Sequence, residues 1–315
     1  MRNFYIRQIL ILFLCVTFQQ INAAEVAYAF SGGRFGDNLV AYLHAKWLSF
    51  KHNIPLRYTP FPYSDQLFLH DCEKSSSKKL PTILLKKNNL SVINPTAPIL
   101  YVVPYFSEFL SEHKINPQWI YFKVDWKNPE FKTLIKNLIS PKNHLLSYDI
   151  PHNKISVALH IRKGGGFDDP LLSDAINIDR PLNQYADYKD ILKFPPEQFY
   201  IEQLKYISEY FNNAPLYVHI FTDDKNPAAI VERLMSNLAE YANLEFNYRP
   251  SDNQHDKNVL EDFFTLTKFD CLVRPQSNFS LIAAKISDYK LEIFPIKGHW
   301  NNTRPIIDEI GIEKG

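Results

Sequence analysis

Short apolar, β-branched runs alternate with helical patterns from residue 155 onward, and this alternation constrains the chain more than any other feature. Strands are predicted at 155–161, 216–221, 244–248, 271–273 and 291–294. Helices are predicted at 197–211, from near Pro227 to Tyr241, at 258–268 and at 279–286. Successive strands joined by helical crossovers lie parallel, so the pattern predicts a mainly parallel, doubly wound α/β sheet.

The first of these strands ends in Ile155-Ser-Val-Ala-Leu-His-Ile-Arg-Lys-Gly-Gly-Gly-Phe-Asp168. Its apolar half reads as a buried strand. Its polar half sets His160, Arg162 and Lys163 beside Gly164, Gly165 and Gly166, where the backbone can turn sharply or admit a ligand. A guanidinium at the carboxyl end of a buried strand suits bidentate phosphate binding, and open α/β sheets collect ligands at that edge. A hairpin with a solvated basic tip is the plain alternative. Little regular structure is predicted from Lys163 to Pro196. Both a lid or acceptor-binding loop and a plain insertion fit that segment.

A similar unit opens the chain. Glu25 to Phe30 reads as a strand, and Ser31-Gly-Gly-Arg-Phe-Gly-Asp-Asn38 as a glycine-rich turn. The following helix carries Leu39, Tyr42, Leu43, Lys46, Trp47 and Phe50 at helical spacing, with the Lys46 amine expected to reach water. Asn53-Ile-Pro55 ends it, and Pro55 to Tyr58 is the next expected strand. Gly32, Gly33 and Gly36 do not make the dinucleotide fingerprint. Prolines break residues 60–150 into short pieces, with strands expected at 82–85 and 99–103 and a helix at 131–139. The polar Ser147-Tyr-Asp-Ile-Pro-His-Asn153 separates two patterned regions, giving domains at 25–150 and 151–315.

Residues 1–24 read as a secretory signal. Arg2 and Arg7 precede a short apolar run from Ile9 to Phe18, and Asn22-Ala-Ala24 offers a cleavage site. The expected location is the secretory pathway or outside the cell. An uncleaved anchor is the alternative, and only that alternative would involve a membrane. A net charge of +1 argues against nucleic acid as a partner. Beyond the leader only Cys72 and Cys271 remain, which excludes a disulfide scaffold and a cysteine-based zinc site.

Further candidate residues stand at other strand ends. Asp223 and Asp224 follow strand 216–221 and suit a cation, a ribose or an amine, or an Asx turn that caps the next helix. Asp262 lies on the margin of the apolar arc of helix 258–268, while Glu261 is expected to face solvent. A carboxylate at that margin needs either a ligand or a basic partner. Arg274-Pro-Gln-Ser-Asn-Phe-Ser280 follows strand 271–273. Ser277 or Asn278 there is placed to cap a helix whose first amides face any phosphate nearby.

Taken in order, these pieces resemble the GDP-fucose-dependent fucosyltransferase superfamily, which includes the α1,6- and α1,2-fucosyltransferases and the protein O-fucosyltransferases. Val157-Ala-Leu-His-Ile-Arg-Lys163 is similar to its His-x-Arg-Arg strand end. Leu216 to Asp224 resembles its strand ending in Thr/Ser-Asp-Asp. Glu261 to Val273, continued by Ser277-Asn-Phe-Ser280, resembles its third motif, and Gly33-Arg-Phe-Gly-Asp-Asn38 resembles the amino-terminal turn of the O-fucosyltransferases. The family's aspartate two places after the second basic residue is replaced by Gly165, and Asn278 stands where a second serine is common.

The resemblance implies a GT-B-like fold, with two Rossmann-like domains facing across a cleft and the donor bound mainly by the second. It implies a metal-independent, inverting glycosyltransferase that needs no cofactor and moves fucose from GDP-fucose to a hydroxyl of a glycan or glycoprotein. By position, Arg162 matches the arginine on the donor diphosphate and His160 the histidine beside it. Asp262 matches the aspartate that reads guanine. Ser277, Asn278, Phe279 and Ser280 match the turn around the phosphates, and Lys163, Asp223 and Asp224 complete the donor-side set. Asp37 is the candidate general base, with a helix N-cap as its plainer role and Asp168 as the alternative base. A different nucleotide sugar, or an inactive glycan-binding protein of the same fold, would keep the framework and change the site.

Overall fold

The structure, a computed structural model, describes residues 24–85, 93–105, 124–145, 148–163, 188–254, 256–301 and 304–315. The expected leader, Gly164 to Gly166, Asp168 and most of the segment up to Pro196 lie outside the described residues. The chain divides into two compact units between Leu145 and Leu146, a few residues before the boundary read from the sequence. Among the described residues no helix is long and apolar enough to cross a membrane.

The first unit holds strands β1 (Glu25–Tyr28), β2 (Thr82–Leu84) and β3 (Leu100–Val103) in one parallel sheet of order β1-β3-β2. The strand expected at 55–58 is reduced to isolated bridges, Leu56 to Val26 and Arg57 to Lys74. Helix α1 (Phe35–His52) covers this sheet and is buried nearly all round, from Phe35 to Ser49. A helix so apolar belongs inside a layered unit rather than on its surface. Its outer turns meet α2 (Pro129–Leu138), where Phe131 packs edge-on to Trp47 at 5.0 Å between ring centroids. Asn128 caps α2 by accepting from the Phe131 amide, with Pro129 at the first helical position. The Lys46 side chain is mostly buried, as its expected apolar stem requires. It pairs with Glu73 at 2.6 Å, and the same carboxylate accepts from the Tyr42 hydroxyl at 2.8 Å.

The second unit is one six-stranded sheet. Its strands are β4 (Ile155–Ile161), β5 (Leu216–Thr222), β6 (Leu244–Tyr248), β7 (Cys271–Val273), β8 (Leu291–Asn301) and β9 (Arg304–Lys314). They lie in the order β6-β5-β4-β7-β8-β9, all parallel except β9. Numbered within the unit this order is 3-2-1-4-5-6, the doubly wound arrangement of nucleotide-binding sheets. The sequence pattern stopped at Phe294, whereas β8 runs on to Asn301 and pairs with β9 through register shifts at Pro295–Gly298.

The connecting helices are α3 (Tyr188–Lys193), α4 (Glu197–Tyr210), α5 (Pro227–Asn237), α6 (Val259–Leu266) and α7 (Asn278–Ile286). Helix α3 falls inside the segment expected to lack regular structure. Val157, Leu159 and Ile161 of β4 join Phe199, Leu204 and Ile207 of α4 and Ile230 and Leu234 of α5 in one apolar cluster. Side chains alternate along a strand, so His160 lies on the opposite face. There α6 and α7 pack, with Phe263 and Phe279 at 5.5 Å. Cys271 is buried, and burial pushes its thiol up to about 12.

Candidate functional site

The strand order fixes where a ligand should bind. From β4 the chain winds outward through β5 to β6, then crosses back to lay β7 against the other side of β4. The helices after β4 and β7 therefore leave on opposite faces, the arrangement in which open α/β sheets bind ligands at the carboxyl ends of the two neighbouring strands. The residues at those ends are His160 to Lys163 and Arg274 to Ser280.

The two ends are joined by a hydrogen bond. His160 Nδ1 lies 2.8 Å from Ser280 Oγ, tying β4 to the first turn of α7, and the His160 ring sits 5.7 Å from that of Phe279. The Tyr200 hydroxyl donates to the His160 carbonyl at 3.1 Å. Arg162 lies over the Phe194 ring at 5.5 Å, so its guanidinium rests on an apolar platform just after α3. Ser277 occupies the N-cap position of α7, but its side chain makes no capping bond. Ser277, Asn278 and Ser280 are buried and Phe279 is partly so.

The paired acids after β5 have separate tasks. Asp223 Oδ1 accepts from the Lys163 amide at 2.6 Å and holds the backbone where β4 gives way to its loop. Asp224 accepts from the Asn226 amide at 2.8 Å, the Asx turn expected for one of the pair, and Asn226 in turn caps α5.

Asp262, in the first turn of α6, has a basic partner. Arg249 Nη2 lies 2.7 Å from its Oδ1 and 3.4 Å from Glu261 Oε2. Glu261, expected to face solvent, is partly exposed and also shares this arginine. Burial pushes the Asp262 carboxyl above the usual range, and the Arg249 guanidinium opposes the rise. Arg249 lies in turn over the Tyr148 ring at 5.2 Å.

Asp37 belongs to the first unit. Helix α1 starts at Phe35, three residues earlier than expected, so Asp37 is not the N-cap but a first-turn residue. Its Oδ2 accepts from the Arg34 amide at 3.1 Å and its Oδ1 from the Tyr105 hydroxyl at 2.9 Å. A Cβ on Gly33 would overlap this carboxylate, so the glycine is required for the close approach rather than for its φ.

Sequence reasoning missed Arg249, Tyr148, Phe194 and Tyr105. One signal was available, since an arginine follows each of three parallel strands: Arg162 after β4, Arg249 after β6 and Arg274 after β7. Each lies over an aromatic ring, Phe194, Tyr148 and Phe294 respectively. Arg274 is committed to the core, paired with Glu292 at 2.6 Å with only 2% of its side chain exposed.

No protein-family model matches the chain, and no curated protein sequence matches it. Several solved structures resemble it. POFUT1 in complex with GDP-fucose superposes with a TM-score of 0.45 at 13% identity, over 87% of this chain and 96% of that one. A point mutant of Arabidopsis thaliana FUT1 in complex with GDP gives 0.47 at 13%, over 91% and 73%. NodZ α-1,6-fucosyltransferase co-crystallised with GDP gives 0.46 at 10%, over 94% and 99%. These are similarities of chain layout at a loose superposition, and they assign no residue a role.

Proposed function

We propose that the protein is a glycosyltransferase that moves fucose from GDP-fucose to a hydroxyl of a glycan or glycoprotein, by inversion and without a metal. The observation that carries this reading is Arg162 at the carboxyl end of β4, next to β7, whose own carboxyl end leads into the N-terminus of α7. Strand order makes this the ligand edge, and a fixed cation next to helix amides is what a diphosphate needs. The order of motifs that resembles the fucosyltransferases agrees with it.

In the proposed reaction the acceptor oxygen bonds to the anomeric carbon as that carbon's bond to the β-phosphate oxygen breaks. GDP leaves with the bonding pair, and Arg162 stabilises the charge that grows on the phosphate. His160, held by Ser280, lines the same edge. Asp37 is the candidate to receive the acceptor proton, its carboxylate oriented by the Arg34 amide and the Tyr105 hydroxyl. The leader would place this chemistry in a secretory lumen or outside the cell.

Calorimetric titration with GDP, UDP and CMP tests the donor class. The reading expects GDP to bind at least about tenfold more tightly than either pyrimidine nucleotide, a difference of about 1.4 kcal/mol. Equal affinity for GDP and UDP would remove guanine recognition and GDP-fucose with it.

A further inference from the structure

We propose that Arg249 is a positioning residue for base recognition: it clamps and aims the Asp262 carboxylate, so that the site selects guanine over adenine. This deepens the proposed function and rests on its guanosine donor.

The argument begins with the loop after β6. Arg249 is the first residue beyond the strand, and the Asn253 side-chain amide donates to its carbonyl at 2.8 Å. Asn258 then takes a left-handed conformation (φ 49°), and its side chain donates to the Asp252 carbonyl at 3.1 Å. The Asp262 amide donates to the Asn258 carbonyl at 2.9 Å. Both ends of the loop are thus fixed, and with them the spacing between the guanidinium and the carboxylate. Tyr148 lies under the guanidinium and limits its movement.

The location matches a ligand edge. The strands point their carboxyl ends one way, so the first turn of α6, like that of α7, starts at that end. Ring contacts link the two helices to β4, from His160 to Phe279 to Phe263, the residue after Asp262. Asp262 uses Oδ1 for Arg249, which leaves Oδ2 as the oxygen a base edge would meet. Its side chain keeps 20% of its surface exposed. The Watson–Crick edge of guanine presents two adjacent N–H donors, which suit an ionised carboxylate, whereas adenine offers an acceptor at the ring position. A protonated carboxyl would lose this discrimination.

Among the described residues, the charged and titratable groups facing Asp262 are Arg249 from the β6–α6 loop, Glu261 from α6 and Tyr148 from the segment before β4. Of these only Arg249 favours the ionised form. Burial and Glu261 act against it. Removing Arg249 should therefore raise the Asp262 carboxyl further and make it easier to protonate.

The test is the ratio of GDP to ADP affinity by calorimetry at about pH 6 and about pH 8.5, a ratio in which titration of the phosphates cancels. The proteins compared are the wild type, Arg249→Lys, Arg249→Met and Asp262→Ala, each checked by thermal melting. The wild type should prefer GDP at both values. Arg249→Met should lose about tenfold of that preference at the lower pH and regain part of it at the higher. Arg249→Lys, which keeps the charge and the fold but loses the planar fork, should fall between them. Asp262→Ala should show no preference at either pH. A ratio unchanged from wild type in Arg249→Met and Arg249→Lys would overturn the role of Arg249 while leaving GDP recognition standing. A wild type with no preference for GDP would overturn the donor reading as well.

Discussion

His219 shows how a single residue can set the pH response of a unit. It sits in the middle of β5, is 1% exposed, and neither ring nitrogen has a hydrogen-bond partner among the described residues. Tyr148 and Phe221 crowd it at 4.2 and 4.7 Å between ring centroids. Burial, and then the Arg249 charge, lowers its pKa from 6.5 to about 3. The unfolded chain takes up a proton near pH 6.5 and the folded chain refuses it until about pH 3. Stability from the neutral ring is therefore complete above the higher value and lost as pH falls towards the lower. Between pH 7 and pH 5 this amounts to about 2 kcal/mol. Urea midpoints should show the wild type losing that much more than His219→Phe over this range, and equal losses would contradict the assignment. The sequence could not show this. His219 stands in an apolar strand like any core residue, and its missing partners exist only in three dimensions.

Elements depend on contacts of the same kind. The turn from Arg274 to Ser280, which brings α7 to the site, is anchored by side chains buried behind it. Arg274 donates to Glu292 at 2.6 Å, and Gln276 donates to the Pro295 carbonyl at 3.2 Å. The Gln276 backbone amide also reaches the Leu192 carbonyl at 2.8 Å. Removing one partner of a buried ion pair strands the other, at a cost of about 3–5 kcal/mol. Arg274→Met and Glu292→Leu should each lose that much stability in urea, and the double variant should recover most of it. Single variants within roughly 0.5 kcal/mol of wild type would contradict this role. Strands β4 to β7 and helices α4 to α7 were legible to within a few residues, because each repeats a period of 2 or 3.6 between clear stops. The β8–β9 arm was not. Pro295, Gly298 and the register shifts break its alternation, and its pairing is set by the neighbouring chain rather than by local pattern. The start of α1 was also misplaced, since Gly36 reads as turn while its burial in the helix depends on tertiary packing.

At the scale of the whole molecule, the first unit places Asp37 in the first turn of α1, and the second gathers His160, Arg162, Asp262 and the α7 turn at one edge of a doubly wound sheet. The sequence led to these residues because chemistry at strand ends leaves charged residues next to apolar runs. It did not reveal their partners: Phe194 and Tyr105 lie far along the chain from Arg162 and Asp37, and Arg249, 13 residues before Asp262, meets it only once the loop after β6 has folded. Arg162 carries the central claim. Its charge should matter most as the bond to the β-phosphate breaks, so its loss should lower turnover as well as affinity. The direct measurement is GDP-fucose turnover, with water or a glycan as acceptor, for wild type, Arg162→Lys and Arg162→Ala. Arg162→Ala should fall by roughly 10²–10³ in rate, and Arg162→Lys should remain impaired because the planar fork is gone. If both folded variants turn over at the wild-type rate, Arg162 is not the donor's cation and the proposed mechanism is wrong.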